Sequence, residues 1–370
     1  MSLQIGIVGL PNVGKSTLFN AVTRTQNAQA ANYPFCTIDP NVGVVEVPDE
    51  RMVKLAEIVK PERVLPATVE FVDIAGLVKG AASGEGLGNK FLSHIRQCNA
   101  IAQVIRVFVD DNVIHVHDNV DPKRDKEIIE AELILADLET VSKRYDLLVS
   151  QSKTGNPKIV AARDTMGELK LHLETGKLAF NFNDGSDAHR EAMADLHLLT
   201  NKPLLYIANV SESECSMLQK NPAMIEELKA KIGIAPNQKL IPICAKIEEE
   251  LGALSTEDAQ AFLADLGLQE AGLNAVIRAA YDTLGYMTYF TAGVKEVRAW
   301  TINKGDTAPQ AAGVIHTDFE KGFIAAETCG YEDFVACGGE AGAKEKGKLR
   351  IEGRDYVMKD GDVMHFRFNV

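Results

Sequence analysis

Gly9-Leu10-Pro11-Asn12-Val13-Gly14-Lys15-Ser16-Thr17 decides how the rest of the chain is read. An apolar run, Leu3-Gln4-Ile5-Gly6-Ile7-Val8, precedes it, and a helix-forming run, Ser16-Thr17-Leu18-Phe19-Asn20-Ala21-Val22, follows. Strand, G-x-x-x-x-G-K-[ST] loop and helix, in that order, are what a phosphate-binding loop requires. The glycines let successive backbone N–H groups turn toward one anionic centre. The helix N-terminus adds its partial positive charge at the same point. In this reading Asn12, Val13, Gly14, Lys15, Ser16 and Thr17 surround a nucleoside triphosphate. Lys15 reaches the β- and γ-phosphates, and the Ser16 hydroxyl ligates Mg²⁺.

Working outward, the polar, Pro-punctuated stretch from Gln26 to Pro40 reads as a loop between the first helix and the second strand. It offers Thr37 as a second metal ligand, with Cys36 beside it. Residues 43–47 and 67–73 read as strands, the latter ending in Asp73-Ile74-Ala75-Gly76. This matches the D-x-x-G of switch NTPases: Asp73 holds Mg²⁺ through water and the Gly76 N–H contacts the γ-phosphate. Switch hydrolases of the Ras type place a Gln after that Gly to orient the attacking water, whereas Leu77 stands here. A leucine cannot hydrogen-bond water, so either hydrolysis is slow or another group positions it. His115 or His117, after a strand at 104–109, is available for that role, although the plainer reading of each is a solvent-facing loop histidine.

Two further buried strands, 202–208 and 239–244, end in Asn209-Val210-Ser211-Glu212 and Ala245-Lys246. Guanine-nucleotide proteins carry N-K-x-D and S-A-K at these places. Here Glu212 is one methylene longer than the Asp that accepts from guanine, and Val210 replaces the Lys whose stem covers the base. Asn209, Val210 and Glu212 are the candidate base contacts, with guanine specificity loosened and adenine open.

The 370 residues exceed one ordinary domain. A 46% hydrophobic and 25% charged composition is that of a soluble globular protein. No apolar run is long enough to span a bilayer. Six scattered cysteines, without C-x-x-C, read as reduced thiols, so the expectation is a cytoplasmic protein with no membrane contact. The net charge of −13 argues against a general nucleic-acid coat but leaves room for local basic patches. From Asp121 the apolar positions Ile128, Ala131, Leu135, Leu138, Ser142, Tyr145 and Val149 follow coiled-coil spacing. That predicts an antiparallel helical arm over 121–200, inserted into a nucleotide-binding domain at 1–120 and 201–280. A helical run is expected at 257–280. The tail, 281–370, alternates like strands around a helix at 310–316 and reads as a β-grasp. Its basic run, Lys344, Lys346, Lys348, Arg350 and Arg354, is either an RNA contact or a solvated strand edge. The expected fold class is α/β: a doubly wound, mostly parallel P-loop sheet, a helical arm and a C-terminal β-grasp.

Asn32-Tyr33-Pro34-Phe35-Cys36-Thr37, Asp73-Ile74-Ala75-Gly76-Leu77-Val78-Lys79-Gly80-Ala81 and Asn209-Val210-Ser211-Glu212 closely resemble the YchF family of Obg-like ATPases. Phe290-Thr291-Ala292-Gly293-Val294-Lys295-Glu296-Val297-Arg298-Ala299-Trp300 and His316-Thr317-Asp318-Phe319-Glu320-Lys321-Gly322-Phe323 resemble that family's TGS domain. The resemblance implies a Mg²⁺-dependent ATPase that binds the ribosome, expected to act as a monomer and to meet the large subunit through rRNA. It also implies a role in hydrolysis for His115, in Ile114-His115-Val116, beside Lys15 on the phosphates. An Obg-type GTPase, or a nucleotide-gated protein-binding scaffold with negligible turnover, are the alternatives.

Overall fold

The computed structural model describes residues 4–29, 41–73, 89–110, 119–182 and 187–369. Along the chain, β1 (Gln4–Val8) leads to α1 (Lys15–Gln29), β2 (Val42–Glu46), α2 (Glu50–Val59), β3 (Arg63–Leu65), β4 (Thr68–Asp73), α3 (Asn89–Gln97) and β5 (Ala100–Arg106). Then come α4 (Pro122–Ser152), α5 (Pro157–Glu174), α6 (Asp187–Ala194), β6 (Leu204–Asn209), α7 (Glu212–Lys220) and α8 (Pro222–Ile232). They are followed by β7 (Lys239–Ile243), α9 (Ala245–Leu251), α10 (Thr256–Asp265) and α11 (Gly272–Thr283). The remainder is β8 (Tyr286–Ala292), β9 (Glu296–Asn303), α12 (Ala308–Ile315), α13 (Thr317–Lys321) and β10 (Phe323–Gly330). It ends with α14 (Tyr331–Cys337), α15 (Glu340–Glu345), β11 (Arg350–Glu352) and β12 (Asp362–Phe368).

The first sheet has the order β2-β4-β1-β5-β6-β7. β1 pairs in parallel with β4 and β5, as do β5 with β6 and β6 with β7. All seven residues of β5 are buried, which explains why its sequence is a nearly continuous apolar run and not an alternation. Strand order runs outward in both directions from β1. The carboxyl end of β1 is therefore a topological switch point, where open α/β sheets bind their ligands.

The helical insertion differs from its expected phase. α4 and α5 pack together around a core of Ile134, Val141, Leu148, Met166, Leu169 and Leu173, with Leu138 and Tyr145 partly buried against it. The seam is thus 134-138-141-145-148. Leu135 and Val149, expected in it, are exposed, as is Ala131. Asp137 explains the offset. Its fully buried carboxylate accepts hydrogen bonds from the Leu199 N–H (2.8 Å), the Thr200 N–H (2.7 Å) and the Thr200 hydroxyl (2.7 Å), so a buried position reads as polar. The first turns of α4 are held differently again. The Lys126 ammonium donates to the Gly233 carbonyl at 2.9 Å, and Tyr206 donates to Glu130 at 2.6 Å. The helical run expected over 257–280 is two helices, α10 and α11.

Contacts divide the chain into two compact units, residues 1–45 with 70–276, and 46–69 with 277–370. Residues 46–69, expected in the nucleotide-binding domain, thus belong to the C-terminal unit. Their β3 pairs in parallel with β9, and Arg51 of α2 bridges Asp49 and Asp360. The second sheet runs β11-β10-β12-β8-β9-β3. Leaving β3 aside, a β8–β9 hairpin, a helix and a final strand β12 parallel to β8 give the β-grasp arrangement. Tyr289, Ala308, Ala311, Ala312, Met364 and Phe366 form its core beneath α12.

Candidate functional site

The stretch from Gly9 to Gly14 turns tightly between β1 and α1. Gly9 (φ +149°), Asn12 (φ +60°) and Gly14 (φ +102°) all have positive φ. Space adds a second constraint at the glycines. A Cβ on Gly9 would lie 2.5 Å from the Val104 carbonyl oxygen, and one on Gly14 would lie 2.3 Å from Asn209 Nδ2. Both glycines are therefore fixed by backbone shape and by close approach. α1 begins at Lys15, so the first turn of a fifteen-residue helix opens at the end of this loop.

Lys15 is buried, and its ammonium donates to the Leu10 carbonyl at 2.5 Å. Burial lowers its pKa to about 8, while the nearby Asp73 carboxylate acts in the opposite sense. Asp73 is itself buried at the carboxyl end of β4, in register with Ile7 of β1. Ser16 is exposed in the first turn of α1. An ammonium and a carboxylate thus lie within electrostatic reach of each other where the loop joins its helix, and the next residue presents an exposed hydroxyl. That donor set suits a triphosphate with a hard divalent cation, whose preferred ligands are oxygens. Among the described residues no group of three or more His, Cys, Asp or Glu side chains forms a metal cluster. Any cation here would draw on Ser16, Asp73 and the phosphates themselves. Thr37, Gly76, Leu77, His115 and Cys36 lie outside the described residues.

The segments read as base contacts place their three candidate side chains in different settings. Asn209 is buried, its Nδ2 donating to the Val13 carbonyl at 2.9 Å and its Oδ1 accepting from the Ala245 N–H at 3.0 Å. Its amide thus ties the phosphate loop to the start of α9. The Val210 side chain, 1% exposed, packs in the core with Tyr206, Leu218 and Ile232. Glu212 stays at the surface at the start of α7, with the Lys246 ammonium 2.8 Å away. Sequence reading missed Glu248, a buried carboxylate in α9 that accepts from the Gly272 N–H at 2.8 Å. The only signal for it was a Glu three residues after Ala245.

In the C-terminal unit a cavity of about 500 Å³ opens beside Thr291, Val294, Phe319, Phe366 and Phe368. The phosphate loop contributes nothing to it. Of the basic run, Lys348 pairs with Asp333 and Arg350 with Glu352, while Arg354 donates to the Phe323 carbonyl.

Comparison with known proteins places this geometry in company. Residues 4–145 match the MMR_HSR1 family, described as a 50S ribosome-binding GTPase. Residues 286–369 match YchF-GTPase_C, described as a protein of unknown function (DUF933). The chain is 55% identical over 372 residues to a protein of Bacillus subtilis named ribosome-binding ATPase YchF, with all of both chains covered. It is 52% identical to the protein of that name from Escherichia coli O157:H7, again with all of both chains covered. Among solved structures, the Schizosaccharomyces pombe YchF GTPase superposes with a TM-score of 0.89 at 40% identity, covering 99% of this chain and 98% of that one.

Proposed function

The chain belongs to the YchF family of ribosome-binding ATPases, and from that membership and the site above we propose a Mg²⁺-dependent, ribosome-associated switch that hydrolyses ATP slowly in isolation. The observation that carries the chemistry is the buried Lys15 ammonium beside Asp73 at the mouth of a loop whose positions 9 and 14 admit only glycine. In the proposed reaction, water attacks the γ-phosphate and ADP and phosphate leave. Lys15 neutralises charge on the β- and γ-oxygens, and loop N–H groups from Asn12 to Thr17 orient the phosphates. Ser16 and Thr37 are the proposed direct ligands of Mg²⁺ and Asp73 the ligand through water; the cation, when bound, draws charge from the same oxygens. Leu77 cannot orient the nucleophile, which supports slow turnover in isolation, and His115 is the proposed substitute. Adenine is the proposed base, facing residues 209–212 and 244–246. The longer Glu212, drawn to Lys246, supports this by offering guanine a poorly matched acceptor.

Lys15→Ala in the full chain tests the assignment. Turnover should fall to background, since phosphate charge then goes unanswered in a buried site; persistence of turnover would remove the loop from the mechanism. For the ribosome, we propose a local contact with large-subunit rRNA through Lys344 and Lys346, at the exposed end of α15. The intramolecular partners of Lys348, Arg350 and Arg354 support narrowing the basic run to these two. Sedimentation with ribosomes over a salt series should show Lys344→Ala with Lys346→Ala released at lower salt than wild type. Equal release at every salt concentration would refute the contact.

A further inference from the structure

The junction of β7 and α9, residues 244–246, is held from two sides by buried hydrogen bonds. On its upstream side Asn209 joins the Ala245 N–H to the phosphate loop at Val13. On its downstream side lies Glu248, 4% exposed, which accepts from the Gly272 N–H at 2.8 Å and also from the Leu273 N–H, the first two amides of α11. α9 itself is only seven residues long, and its N-cap, Cys244, makes no side-chain cap hydrogen bond. So short a helix has little stability of its own, and its direction depends on what holds it. The approach at Gly272 is close: a Cβ there would lie 3.0 Å from Glu248 Oε1 and 3.1 Å from Ile243 Cγ2 at the end of β7.

We propose that Glu248 is a positioning residue for base recognition, fixing the 244–246 segment against α11 while Asn209 fixes it against the phosphate loop. The inference rests on the reading of 209–212 and 244–246 as the base-facing segments. Burial pushes the Glu248 carboxyl up to about 7, with Glu270 acting in the same sense and the two α11 amides against it. A carboxylate is thus kept here despite its desolvation cost, where an apolar side chain would pack more cheaply but leave two helix N–H groups unpaired. Removing it frees one tether. The base side of the pocket then loosens, whereas the phosphate side stays held by β1, α1 and Asn209.

The test compares ATP with inorganic tripolyphosphate, both with Mg²⁺, titrated calorimetrically into the full-length chain. Glu248→Ala should weaken ATP about tenfold, corresponding to about 1.4 kcal/mol, and leave tripolyphosphate within about twofold. Glu248→Gln keeps an acceptor oxygen for the amides and should restore ATP to within about threefold of wild type. Should Glu248→Ala not fold, Glu248→Asp, whose carboxylate falls one methylene short of α11, gives the same comparison. Unchanged ATP affinity, or equal weakening of both ligands, would overturn the proposal, because a merely structural role loosens the whole pocket. Wild type that binds tripolyphosphate but gains nothing from the base and ribose would instead overturn the reading of the base-facing segments.

Discussion

Asn209→Ala removes a side chain with two buried partners and leaves both behind. The Val13 carbonyl loses its donor at 2.9 Å, and the Ala245 N–H loses its acceptor at 3.0 Å. A buried polar group stripped of its partner costs about 1–3 kcal/mol, so the pair together should cost about 2–6 kcal/mol. Against a typical domain stability of about 5–15 kcal/mol that is a large fraction. Asn209→Asp separates the two bonds. It keeps the acceptor for Ala245 but sets a carboxylate oxygen against the Val13 carbonyl, so it should destabilise at least as much as Ala. Urea unfolding followed by far-UV circular dichroism measures both variants, and calorimetry with ATP measures whether the loop still binds. The tie predicts a lower midpoint and weaker ATP binding in each. An Asn209→Ala protein within about 0.5 kcal/mol of wild type would refute the claim that this amide joins the phosphate loop to α9.

Two further outcomes follow from buried charges. Asp137→Ala should destabilise by about 3 kcal/mol or more, since three donors at the end of the helical insertion lose their acceptor; Asp137→Asn should lie between it and wild type, and thermal unfolding that ranks Asn with Ala would contradict this. Burial lowers Lys15 to about 8, and bound phosphates should raise it again. Nucleotide binding at pH 8 should therefore take up about half a proton, falling toward none at pH 6.5, where the ammonium is already charged. Calorimetry in buffers of different ionisation enthalpy reads this directly, and proton release or no exchange at pH 8 would contradict it.

The phosphate loop, the presence of parallel strands and the β-grasp tail were legible because each rests on local pattern. Glycines flank a Lys-Ser pair, apolar runs of strand length carry the sheet, and alternation marks the tail. What was illegible depends on distant partners. α2 and β3 look like ordinary members of the first domain until Val64 is seen paired with Val297. The seam of α4 was misphased because Asp137 reads as a surface residue while its carboxylate takes three buried hydrogen bonds. Val210 and Asn209 lay in the right motif, but a motif does not state which way a side chain points. One faces the core and the other reaches back to Val13.

The site is proposed to take a triphosphate and to prefer adenine. Calorimetric titration of the full chain with ATP and with GTP, each with Mg²⁺, tests it most directly. ATP should bind saturably at one site per chain and GTP at least about tenfold more weakly, a difference of about 1.4 kcal/mol. Equal affinities, or tighter binding of GTP, would contradict it.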